Sequence, residues 1–350
     1  MISTKAVYCE DLENALSRVL HLERLKDCSV LITGATGLIG SFITEMLLLG
    51  NQKGMCSVQV YAAGRSKERL QNRFRSYKED SALHLVEYDV CNEITFEDSF
   101  DYIIHAASNA YPAAFSKDPI GTIEANLIGT KRLLDYGREH GLKRFLFVSS
   151  GEVYGQMPAD TPMFLENMSG YVDPLQVRSC YPLSKRLAEN YCVAFARQYG
   201  IETVIVRPCH TYGANFTASD NRATVQFFND AIAGKDIILK SEGKPIRSYM
   251  YIADSAPAIL SVLCCGENAT AYNISNPSSI VSIREFAEYT AKAADRKVII
   301  ELPPDKPVDD TPITRQILCS VRLEQLGFCS VYSCEEGIRR SLAILKGELS

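Results

Sequence analysis

The run Val30-Leu31-Ile32-Thr33 passes without interruption into Gly34-Ala35-Thr36-Gly37-Leu38-Ile39-Gly40 and then into the apolar stretch 41–49. A buried strand that turns through three glycines into a helix leaves few folds open. Gly34 permits the tight turn, Gly37 lets backbone approach a pyrophosphate, and Gly40 lets the helix pack close to the strand. The start of that helix offers free N–H groups to phosphates. Two residues separate each pair of glycines, unlike the one-then-two spacing of common dehydrogenases. No Gly-Lys-Ser/Thr follows, so this is not a nucleoside-triphosphate loop.

From about residue 29 short β-branched runs alternate with longer helical patterns, which predicts βαβ units and a parallel sheet. The predicted strands are Val30–Thr33, Val58–Ala62, Leu85–Tyr88, Tyr102–Ala106, Phe145–Ser149 and Thr203–Arg207. Ile120, Ile123, Leu127 and Leu134 mark one intervening helix. Leu183, Leu187, Tyr191 and Phe195 mark another, stopped by Gly200. The fold class is therefore α/β, a Rossmann-type doubly wound parallel sheet with a smaller, discontinuous C-terminal substrate lobe. Residues 1–28 read as a helical extension for packing or assembly. Residues 29–208 with 247–276 read as the dinucleotide-binding domain, with Tyr249–Ile252 and Ala271–Ser275 as strands returning to the sheet. The segments 209–246 and 277–350, richer in Pro, Asp and Ser, supply the substrate lobe at the carboxyl ends of the strands.

Composition removes several classes of function. Net charge is −5 with no basic block, which argues against a nucleic-acid partner. The longest uncharged apolar stretch, Ala258–Cys265, is far too short to cross a bilayer. Lys5, Glu10, Asp11, Glu13 and Arg18 interrupt any signal-peptide core. The twelve cysteines are scattered and none forms a pair with zinc-ligand spacing, so reduced thiols in a cytoplasmic protein, with no metal site, are expected.

Two groups of residues point to chemistry. The second strand ends Ala62-Ala63-Gly64-Arg65 with no acidic reader of an adenosine ribose. Arg65 fits a 2′-phosphate, which would mean NADP, or a stacking role on adenine, or a plain surface position opening the next helix, so cofactor identity stays open between NAD and NADP. Asp89 and Val90 follow the third strand, where an adenine edge is read. Further on, Tyr181 and Lys185 stand four apart at the start of a helix and so share one face. A phenol with a pKa of about 10 serves as a base near neutrality only when a cation stabilises its phenolate, and Lys185 is placed to do so. The strand before them delivers Ser149 and Ser150 to the same sheet edge, where a hydroxyl can hold a reacting oxygen.

In this order the motifs resemble the extended short-chain dehydrogenase/reductases, specifically the NAD-dependent nucleotide-sugar epimerases and dehydratases. The resemblance runs from about Val30 to Leu342. It is carried by Thr33–Gly40, His105-Ala106-Ala107, Asn126–Thr130, Ser149–Gly155, Tyr181–Lys185, Arg207-Pro208 with Tyr212-Gly213, and Arg247–Asp254. It implies a bound NAD held by Gly34, Thr36, Gly37, Leu38, Ile39 and Gly40, with Ala106, Ala107, Ser108, Asn126, Ser149 and Pro208 completing the cofactor site. It implies a nucleoside-diphosphate sugar as substrate. Tyr181 would take the proton of the sugar 4-hydroxyl as hydride leaves C4, Ser150 would hold O4, Lys185 would bind the nicotinamide ribose, and Arg247 would meet the diphosphate. Ser108, Gly151, Glu152, His210 and Arg222 complete the implied substrate contacts. Relatives pair the helices around Ile120–Tyr136 and Tyr181–Tyr199 across a two-fold axis, which implies a homodimer.

Three fates of the 4-keto sugar compete: 4-epimerisation, 4,6-dehydration and loss of a C6 carboxylate. Dehydrating relatives carry Thr-Asp-Glu where this chain has Ser150-Gly151-Glu152, with the Asp as acid and the Glu as base at C5. Decarboxylating relatives show Thr-Ser-Glu, though Arg178-Ser179-Cys180-Tyr181 and Lys185-Arg186 resemble their helix entry. His210 stands where many relatives have Asn. Glu152 is kept here and the acid is not. 4-Epimerisation leads on this reading, because a missing acid is harder to replace than an extra carboxylate is to tolerate. Dehydration and UDP-glucuronate decarboxylation are the alternatives, and a net NADPH-dependent keto-sugar reductase, consistent with Arg65, is a third.

Overall fold

The computed structural model describes residues 5–302 and 313–347; parts of the expected extension (1–4) and of the expected lobe (303–312 and 348–350) lie outside the described residues. The chain opens with α1 (Ala6–Ser17), then β1 (Cys28–Thr33), α2 (Leu38–Gln52), β2 (Val58–Gly64), α3 (Lys67–Arg73), β3 (Leu83–Glu87) and β4 (Tyr102–His105). A helical run follows: α4 (Pro112–Lys117), α5 (Pro119–Ile123), a π turn (Glu124–Ile128) and α6 (Gly129–Glu139). Then come β5 (Arg144–Val148), α7 (Cys180–Tyr199), β6 (Glu202–Pro208) and β7 (His210–Tyr212). The rest is α8 (Ala223–Ile232), β8 (Ile237–Leu239), β9 (Ile246–Tyr251), α9 (Ile252–Cys265), β10 (Thr270–Ile274), β11 (Ile280–Ser282), α10 (Ile283–Ala293), β12 (Val298–Ile300), β13 (Arg315–Gln316), α11 (Val321–Gln325) and α12 (Cys334–Lys346).

Seven strands form one sheet in the order β10-β6-β5-β4-β1-β2-β3, parallel throughout. The order reverses between β1 and β4, the switch point at which doubly wound sheets bind ligands. All six predicted strands occur, their ends shifted by no more than two residues. The local signal is strong because β1, β4 and β5 are covered on both faces and carry apolar side chains almost throughout. Gly200 ends α7 in the left-handed conformation at φ 75°, as its position predicts.

One expected strand goes elsewhere. Residues 270–274 return to the sheet beside β6, but β9 does not. β9 is the centre of a second sheet, antiparallel to β11 and parallel to β13 and β7. The local pattern Tyr249–Ile252 identified a strand correctly; its partners are strands of two or three residues that carry no periodicity of their own. The helix that follows it, α9, is buried almost along its whole length and packs between the large sheet and the N-terminal helices.

The N-terminal helix is built into this core. Tyr8 donates a hydrogen bond to the buried Glu45 of α2, which also meets Arg73 at 3.0 Å. Asp11 accepts from Tyr251 and from Arg340 Nε, the latter at 2.6 Å. Among the described residues no helix is long and apolar enough to cross a membrane.

Candidate active site

The strand ends at the switch point open onto one cavity of 1520 Å³. Every residue expected at the cofactor or substrate lines it, with one exception. The phosphate loop forms as its glycines require. Gly34 has φ +69°, and a Cβ there would lie 2.8 Å from the backbone of Ala106 and Ala107, so only glycine lets β1 and β4 close on each other. A Cβ on Gly40 would come within 2.5 Å of the Gly34 carbonyl, which is how the first turn of α2 sits directly on the loop. Gly37 caps α2 without a side chain, leaving the first N–H groups of that helix facing the cavity. Arg65, Asp89 and Val90 line the far end, joined by Arg69.

The exception is Asn126. It is fully buried, its carbonyl oxygen accepting from Ser108 Oγ at 2.7 Å and its amide donating to Ser184 Oγ at 3.0 Å. Each end of the amide is engaged by protein, and Asn126 thereby ties the residues after β4 to α7. The π turn aims it there, and a π turn leaves no signature in residue spacing.

β5 delivers Ser149 and Ser150. The Ser149 hydroxyl is buried in the cavity wall with no protein partner. Ser150 caps a short 3₁₀ turn by accepting from the Glu152 N–H at 3.2 Å. α7 brings in Tyr181, stacked on Phe115 at 5.2 Å between ring centroids, and Lys185 one turn later. Burial pushes the Tyr181 phenol up to about 12, against the Ser150 hydrogen bond, which lowers it. Burial holds the Lys185 ammonium down to about 7, against Glu189, which raises it. Lys185 Nζ donates to the Val148 carbonyl at 2.8 Å and lies 5.9 Å from the Tyr181 ring centroid. A phenol and an ammonium thus sit together with a serine hydroxyl beside the phosphate loop.

The opposite wall is rich in arginine. Glu152 pairs with Arg178 at 3.4 Å. Arg222 is held by Asp220 with its shortest contact at 2.6 Å. Arg247 is buried, donating to the Ile246 and Ile313 carbonyls at 3.0 and 2.6 Å while lining the cavity. Arg178, Gln316 and Tyr249 line the site without having been singled out as substrate contacts. Arg178 was findable, three residues before Tyr181. Gln316 was not, because it arrives on the two-residue strand β13 through pairing with β9.

The sequence model of the NAD-dependent epimerase/dehydratase family matches residues 30–275. UDP-glucuronic acid decarboxylase 6 of Arabidopsis thaliana is 30% identical over 309 residues, spanning 88% of this chain and 86% of that protein. Among solved structures, the dTDP-glucose 4,6-dehydratase of Streptomyces venezuelae with NAD bound superposes with a TM-score of 0.78 at 23% identity, over 90% of this chain and 96% of that one. The UDP-glucuronic acid 4-epimerase of Bacillus cereus, in complex with UDP-glucuronic acid and NAD, gives 0.75 at 20% identity, over 91% and 99%. At these identities the structures are likenesses of fold.

Proposed function

This chain belongs to the NAD-dependent epimerase/dehydratase family, and from that premise we propose that it oxidises C4 of a nucleoside-diphosphate hexuronate and releases the C6 carboxylate as carbon dioxide. The residues present suit NAD: free N–H groups at the start of α2 for the pyrophosphate, the unpartnered Ser149 hydroxyl, and Lys185 for the nicotinamide ribose. Bound NAD+ would accept the C4 hydride and return it, and its positive ring would favour the phenolate.

Tyr181 takes the O4 proton, and Ser150 holds the oxygen as it becomes a carbonyl. A 4-keto uronate is a β-keto acid. Its C5–C6 bond breaks with the electron pair passing into a C4–C5 enolate, whose oxygen Ser150 and the now protonated Tyr181 hydrogen-bond. C5 then takes a proton and the C4 hydroxyl is restored. No acid is needed for a departing hydroxyl. That matters because residue 151 is a glycine and offers no acid, and a Cβ there would already lie 3.3 Å from Leu318 Cδ2, a tight contact. The lack of an acid at residue 151 is the observation that carries this reading over dehydration. Simple 4-epimerisation is consistent with the same absence and stands second; the 30% identity to a UDP-glucuronic acid decarboxylase supports decarboxylation over it.

Incubation with UDP-glucuronate in deuterium oxide decides between them. The expected product has lost carbon dioxide and carries deuterium at C5. An isomer of unchanged mass without label would replace this reading by 4-epimerisation, and loss of water from a UDP- or dTDP-hexose would replace it by dehydration.

A second copy of the chain is the expected partner. Ile120 on α5 and Leu187 on α7 are 64% and 49% exposed, large apolar side chains on two helices that pack together. Light scattering should give twice the 38.9 kDa chain mass, and Leu187→Glu should shift it to the monomer. A monomeric unaltered protein at micromolar concentration would refute the pairing.

A further inference from the structure

His210 and Gln316 meet in the cavity wall on neighbouring strands of the second sheet, where both flank β9. Gln316 is 3% exposed. Its Nε2 donates to the Gly151 carbonyl at 3.0 Å, and its Oε1 faces His210 Nε2 at 3.1 Å. The assignment of these atoms follows from chemistry. A backbone carbonyl can only accept, so the amide must turn its NH₂ toward Gly151. Its oxygen is then left to face His210, and that oxygen can only accept as well. The imidazole nitrogen it meets therefore carries the proton. The ring stays neutral: burial, reinforced by the charges of Arg247 and Arg222, holds it down to about 3, although Gln316 pulls the other way. A neutral ring with its proton on Nε2 has a bare lone pair on Nδ1.

We propose that Gln316 is a positioning residue: its amide locks His210 in the Nε2–H form, leaving Nδ1 to accept a hydroxyl of the sugar, and the same amide grips the backbone between Ser150 and Glu152. The contact to sugar rests on the nucleotide-sugar reading above, whereas the lock does not. A lone-pair acceptor selects a donor, so a sugar hydroxyl fits His210 and a carboxylate does not. The grip on Gly151 links that choice to the chemistry, because the Ser150 and Glu152 side chains flank the held peptide.

The 350-residue chain labelled with ¹⁵N-histidine tests this, and its five histidines make assignment simple. The His210 signal, identified by its loss in His210→Asn, should show a neutral ring protonated on Nε2 between pH 6 and 8. Gln316→Leu should release it into a mixture of forms and raise KM for UDP-glucuronate by about tenfold with a smaller change in kcat, the scale of one lost hydrogen bond. Addition of UDP-glucuronate should move the Nδ1 resonance in the unaltered protein. A ring protonated on Nδ1, or a form unchanged in a folded Gln316→Leu, overturns the lock. A static Nδ1 resonance with UDP-glucuronate bound overturns the sugar contact. The first measurement needs no substrate, so its failure is distinct from failure to convert UDP-glucuronate.

Discussion

Tyr181→Phe should lower kcat by about a thousandfold while leaving NAD affinity nearly unchanged. The ring stays in place because it stacks on Phe115 and is 5% exposed, so only the oxygen is lost. No neighbouring group can take over. Ser150 offers only a hydroxyl, the Glu152 carboxylate is paired with Arg178, and the Lys185 amine is turned to the Val148 carbonyl. Burial holds the phenol up at about 12, far above neutrality, with Glu152 adding to the effect and Ser150 and Arg222 opposing it. A phenolate therefore needs added positive charge, which bound NAD+ would supply, and the variant removes the group on which that charge would act. Turnover of UDP-glucuronate by coupled mass analysis and NAD binding by calorimetry give the two readouts. A variant that keeps more than a few per cent of activity would remove Tyr181 from the role of base.

Much of this site was legible because it is built from local signals. The Gly34–Gly40 loop, the serines ending β5 and the Tyr181–Lys185 spacing each lie on one strand end or one helix turn, and periodicity identifies those elements. What the sequence hid is non-local. Gln316 is next to Gly151 only because β13 pairs with β9 across the chain, and β13 is two residues long. Asn126 lay in a recognisable motif, yet the π turn spends its amide on Ser108 and Ser184. The N-terminal helix showed charge at its start but not the partner of that charge, which comes from the other end of the chain.

That partner supports the second large effect. Arg340→Met should destabilise the protein by about 3 kcal/mol or more, the cost of leaving a buried charge without its counterion. Arg340 sits on α12, 7% exposed, with Nε on Asp11 and Nη2 on Glu10, both at 2.6 Å, and its guanidinium 5.5 Å from the Tyr332 ring centroid. Asp11 is fully buried. Burial raises its carboxyl to about 6, while the Tyr251 hydrogen bond and Arg340 hold it lower than burial alone would. The pH dependence follows from that direction. Between the unfolded value of 3.8 and the folded one, the unfolded chain has released a proton that the folded chain retains, so stability falls as pH rises through this window. Without Arg340 the folded value climbs and the window widens upward. The variant's deficit should thus be larger at pH 8 than at pH 5, and Asp11→Asn in the same chain should recover part of it. Urea unfolding at the two pH values measures this; a deficit below about 1 kcal/mol at pH 8 would mean that the pair is no more than a surface contact. The consequence reaches the active site through packing. α1 lies against α2, whose first turn carries the phosphate loop, and Asp11 is hydrogen-bonded to Tyr251 at the end of β9, the strand that carries Arg247 and aligns Gln316. Loosening the clamp therefore loosens both walls of the cavity together, and NAD affinity should fall with stability in the Arg340→Met protein.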